Sequence, residues 1–135
     1  GPLGDGLRTM VRRAMEANPK ARLACLNVLK LHALRPDSAL DEEGHSKHVQ
    51  RLVELRYWAE PMGLPPNRVT FHVIEAVNPA EAILEYARTN RVDHVIMGAR
   101  AESLQRRLLG SVSAEVAAHA PCTVTVVRVR GAGEA

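Results

Sequence analysis

Leu23-Ala24-Cys25-Leu26-Asn27-Val28-Leu29 is the stretch on which the fold turns. Asn27 is its one polar side chain, so neither the alternation of a half-buried strand nor the 3.6-residue spacing of an amphipathic helix fits it. A short, nearly continuous apolar run reads as a strand whose sheet is covered on both faces, which is the condition of parallel sheets in α/β proteins. The strand is expected over Arg22 to Lys30.

Working outward, Leu7, Met10, Val11 and Ala14 recur at helical spacing ahead of this strand, Asp5 stands where an N-cap is expected, and Asn18-Pro19 ends the run. Behind it, His32 to Gly44 holds Pro36 and four acidic residues without periodicity and reads as a loop. Val49, Leu52, Val53, Arg56, Ala59 and Met62 then mark one face of a helix that Gly63 and Pro65-Pro66 stop; Trp58 falls off that face. Val69 to Glu75 is a second strand, and Asn78-Pro79 with Glu81 gives a capped helix start whose buried face is Ile83, Leu84 and Ala87. Asp93 to Gly98 forms a third strand running into a glycine turn, Ser111 to His119 a last helix, and Thr123 to Arg130 a last strand. The strict order α-β-α-β-α-β-α-β predicts an open, mostly parallel, doubly wound sheet of Rossmann-like kind with helices on both faces.

A chain of 135 residues supports one core. Its 46% hydrophobic and 24% charged residues mark it as globular, and no apolar run approaches the roughly 20 residues of a membrane helix. Eighteen basic against fifteen acidic residues form no continuous stripe, and the aromatics are few (Tyr57, Trp58, Phe71 and Tyr86), so nucleic-acid binding is not expected. Cys25 and Cys122 lie in strand-like runs without a CxxC pair, which reads as buried reduced thiols in a cytoplasmic protein. Residues 1–4 (Gly1-Pro2-Leu3-Gly4) read as the scar of a cleaved expression tag, residues 5–130 as the domain and residues 131–135 as a tail. Asp41-Glu42-Glu43 with His45 and His48 could be imagined around a metal, and His72 and His94 alternate within strands. Neither arrangement has convincing ligand or triad spacing, so no metal and no catalytic residue is assigned.

The chemistry concentrates in Met97-Gly98-Ala99-Arg100-Ala101-Glu102-Ser103-Leu104-Gln105-Arg106-Arg107-Leu108-Leu109-Gly110-Ser111-Val112-Ser113, which follows a strand and opens a helix. Ligands of open α/β sheets sit beyond the carboxyl ends of the strands, where a helix N-terminus offers free N–H groups and a positive dipole end to a phosphate. Gly110 permits close approach of the backbone, Ser111 can cap the helix or donate to the anion, Ser113 adds a second hydroxyl, and Arg100, Arg106 and Arg107 supply cations.

This stretch resembles the signature of the universal stress protein family: glycine, two residues, a second glycine, about nine residues, then glycine and serine or threonine. His119-Ala120-Pro121-Cys122-Thr123-Val124-Thr125-Val126-Val127-Arg128 and Val92-Asp93-His94-Val95-Ile96-Met97-Gly98-Ala99-Arg100 are similar to the family's closing segment and fourth strand. The resemblance implies an adenine nucleotide alpha hydrolase-like fold and a regulatory module binding ATP or another adenine nucleotide. Carried over by position, it names Val28, Met97, Gly98, Ala101, Gly110, Ser111, Val112 and Ser113, with Arg100 beside them. It also implies a homodimer through Thr123 to Val129, and a chain that works alone or fused to a larger protein such as a kinase. Ala101 stands where the pattern has its second glycine, the spacer Glu102 to Leu109 is one residue short, and no strand precedes Leu7. In the family that first strand lies mid-sheet, so its position is expected to be filled, by residues outside this sequence or by another chain. The rival reading is a domain that binds no nucleotide and acts through dimerisation or by attachment to a larger chain; an enzyme with rapid turnover comes third, and slow ATP hydrolysis is the most that is expected.

Overall fold

A computed structural model of the protein describes residues 2–32, 46–100 and 110–129. The elements run α1 (Pro2–Ala17), β1 (Leu23–Lys30), α2 (Lys47–Ala59), β2 (Val69–Ala76), α3 (Pro79–Thr89), β3 (His94–Arg100), α4 (Ser111–His119) and β4 (Thr123–Val129), with short 3-10 turns at Glu60–Met62 and Pro66–Arg68. All four expected strands form within two residues of their expected ends, and the alternation of helix and strand is the one the sequence implies. The expected loop after His32 and the tail after Arg130 lie outside the described residues.

The chain divides into two compact units, Met15–Ala82 and Gly1–Ala14 with Ile83–Ala135. In the first, β1 and β2 pair parallel from Leu23 opposite Val69 to Lys30 opposite Ala76, and Leu31 N–H extends the ladder to the Ala76 carbonyl at 2.9 Å. A parallel pair needs a crossover, and α2 supplies it, packing on both strands. Cys25 and Leu29, four apart and hence on one side of β1, are buried, as is Ala59 at the end of α2. Arg68 binds three main-chain carbonyls: Nε donates to Ala21 at 3.1 Å, and one terminal nitrogen donates to Asn18 at 2.9 Å and Met15 at 3.3 Å. The last carbonyls of α1, which lack helical partners, thereby gain a cation as their donor.

The second unit repeats the scheme. Strands β3 and β4 pair parallel from His94 opposite Thr123 to Arg100 opposite Val129, and α4 packs against both. Val116 of α4 is fully enclosed, Ala99 of β3 is buried, and Leu84 and Ala87 bury the face of α3 that the periodicity marks. The start of α3 is capped as expected, with Asn78 Oδ1 accepting from Glu81 N–H at 3.1 Å. Ser46 Oγ does the same for α2, accepting from Val49 N–H at 3.4 Å.

Three expectations are corrected. The helix α1 starts at Pro2, not at an Asp5 cap; proline presets the backbone of a first helical residue, and Asp5 sits inside the first turn, paired with Arg8 at 2.9 Å. The α2 face is misread in part. Ala59 is buried and Leu52 half-buried, but Val49 and Val53 are 58% and 48% exposed, Arg56 is exposed, and Trp58 is half-buried. At 100° per residue Val53 points well away from the line through Leu52, Leu55 and Ala59, and an apolar side chain alone does not reveal on which side it falls. Finally, Cys122, expected to be buried like Cys25, is half-buried. Among the described residues the strands form two two-stranded parallel sheets, β1-β2 and β3-β4. No strand precedes α1 among the described residues, which leaves β1 and β3 with one hydrogen-bonded strand neighbour each. Among the described residues no helix is long and apolar enough to cross a membrane.

Truncating Leu84, only 3% exposed, should cost about 2–5 kcal/mol as Leu84→Ala, whereas Val77→Ala at a 55% exposed position should stay within about 0.5 kcal/mol of the parent. Urea denaturation of the two variants checks the difference.

Candidate functional site

The start of α4 is built without a side-chain cap. Gly110 occupies the cap position with ordinary extended backbone angles, φ −61° and ψ 162°, and no side chain bonds the helix end. The first helical bond runs from Ala114 N–H to the Gly110 carbonyl at 2.9 Å, so the N–H groups of Ser111, Val112 and Ser113 precede the ladder. These are the groups that bind anions at helix starts, reinforced by the positive end of the helix dipole. Ser111 is the first residue inside the helix and so does not cap it; its side chain is exposed and available to a ligand. Val112 is half-buried, and Ser113 is 4% exposed. Among the described residues, a methyl group added at Gly110 would meet Ser113 Oγ at 3.7 Å, an ordinary contact, and nothing closer.

The strand that leads towards this turn carries two more of the expected residues. Met97 and Gly98 lie in β3 opposite Val126 and Val127, both half-buried, in the unit to which α4 belongs. Arg100 ends β3 opposite Val129. Ala101, Arg106 and Arg107 lie outside the described residues. Val28 belongs to the other unit, half-buried in β1 opposite Ile74. The structure thus gathers Met97, Gly98 and Gly110 to Ser113 on β3 and α4 of one unit.

Three other groups that the sequence draws attention to, His72, His94 and Cys25, are accounted for by their surroundings. His72 Nε2 lies 2.8 Å from Thr70 Oγ1, and His94 Nε2 lies 2.8 Å from Thr125 Oγ1. Burial pushes the Cys25 thiol up from 9.0 to about 11, because the thiolate would lose its hydration. Asp41 to His45 lie outside the described residues, and among the described residues no group of three or more His, Cys, Asp or Glu could hold a metal ion.

Parallel strands joined by helical crossovers define an α/β protein. The profile of the universal stress protein family matches residues 5–128, and the chain belongs to that family. A universal stress protein of Thermus aquaticus, from the 3' region of the QAH/OAS sulfhydrylase, is 32% identical over 130 residues, covering 92% of this chain and 93% of its own. The universal stress protein MJ0531 of Methanocaldococcus jannaschii is 34% identical over 90 residues, or 66% of this chain and 48% of its own. The solved structure of the hypothetical protein MJ0577 superposes with a TM-score of 0.64, covering 97% of this chain and 91% of its own at 19% identity, a likeness of fold.

The buried thiol makes a prediction of defined sign. In the unfolded chain Cys25 ionises near 9.0, whereas the folded state holds its proton to about 11, so between those values the unfolded state binds fewer protons and stability falls as pH rises. Denaturation between pH 8 and about 11 should show that downward slope in the parent and a shallower one in Cys25→Ala.

Proposed function

We propose that the protein is a regulatory module that binds an adenine nucleotide, ATP foremost, with its phosphates on the N–H groups of Ser111, Val112 and Ser113. The observation that carries this reading is the start of α4 at Gly110, which has no side-chain cap and so leaves N–H donors and a dipole end to an anion. Met97 and Gly98 of β3, with Arg100, Arg106 and Arg107 for positive charge and Ala101 in place of the pattern's second glycine, complete the site in this unit. The module acts by binding, with slow ATP hydrolysis at most, and works in the cytoplasm, alone or joined to a larger chain. Its homodimer forms through Thr123 to Val129, where β4 has a strand neighbour on one edge only.

A second reading, dimerisation without nucleotide, draws on Ala101 and the shortened spacer. Titration calorimetry with ATP separates the two. Gly110→Ala adds one methyl group into ordinary contact, costs the helix end at most about 1 kcal/mol, and should weaken ATP binding about tenfold by crowding the phosphates. A parent protein that takes up no ATP leaves the second reading in possession.

A further inference from the structure

The exposed flank of α2 beside β2 carries an apolar stripe, Val49, Val53 and Tyr57, exposed by 58%, 48% and 71%. Beside it lies an open groove of about 870 Å³ between α2 and β2, lined by Val53, Tyr57, Leu64 and Phe71 among others. Arg56 closes part of it, its guanidinium 4.8 Å from the centre of the Phe71 ring. Strand β2 is an edge of its sheet. In a parallel ladder successive residues direct their backbone groups to opposite edges, and Ala76 bonds towards β1. Val69, Phe71, Val73 and Glu75 therefore turn theirs outward, where no further strand lies among the described residues. Edge strands are usually blunted by charge or proline, and β2 carries only Glu75.

We infer that this face is an interface with a second copy of the chain, formed by antiparallel pairing of β2 with its two-fold mate and of α2 with its own. The sequence of the helix selects that occupant, because its exposed face is symmetric about Val53. Residues four away on either side, Val49 and Tyr57, are apolar; those three away, Gln50 and Arg56, and seven away, Ser46 and Glu60, are polar. A two-fold axis through Val53 sets Val53 on Val53 and Val49 on the second copy's Tyr57. It sets Arg56 against the amide of Gln50, and the Glu60 carboxylate against Ser46 at the other helix's N-terminus, where negative charge is favoured. Apolar meets apolar and no like charges oppose. An unrelated partner would have to supply a free strand edge and a matching helix face at the same spacing.

This interface lies wholly within the unit Met15–Ala82 and is independent of nucleotide and of pairing through β4. It is tested on the whole purified protein by light scattering and cross-linking. Val53→Arg, at an exposed site, should halve the mass of the assembly. Val53→Cys in a Cys122→Ser background should form a covalent dimer with a short bis-maleimide while Cys25, buried and protonated, stays unmodified. A parent that runs as a monomer, or a mass unchanged by Val53→Arg together with no cross-link at residue 53, overturns the inference.

Discussion

Parallel pairing is the constraint from which the rest of this molecule follows. Two strands that run the same way cannot be joined by a tight turn, so β1 reaches β2 through α2, and β3 reaches β4 through α4. Each crossover begins a helix after the carboxyl end of a strand. Where the helix start is capped by its own side chain, as at Ser46 and Asn78, one of its free donors is spent on the fold. Where it begins at a glycine, as at Gly110, no side chain takes that donor.

That difference explains what the sequence could and could not disclose. The strands were legible because runs such as Leu23 to Leu29 have no polar side chain to place outward beyond Asn27, and even that amide is engaged, accepting from Arg51 at 3.3 Å. The cap at Asn78 was legible because asparagine, proline and glutamate stand at fixed offsets. The region of the site was legible from a glycine and serine after a strand. The cap residue itself was not, since Gly110 and Ser111 are adjacent and only backbone angles decide which of them starts the helix.

The reading of α2 failed for an instructive reason. Periodicity finds residues that share a face, and it assumes that apolar ones face the core. Leu52 and Ala59 do, but Val49 and Val53 belong to a second apolar stripe on the exposed flank of the helix beside β2. The groove beside Phe71 and the free edge of β2 lie along that second stripe, so one misread helix and one unpaired strand describe a single feature.

The central claim is that an anionic nucleotide is held by the backbone at the start of α4. Amide chemical shifts followed by NMR during an ATP titration test it most directly, since they report on the groups themselves. The account predicts that the N–H signals of Ser111, Val112 and Ser113 move furthest and saturate together, with Gly98 following and β2 unmoved. Saturable binding that shifts other amides and leaves those three in place would contradict it.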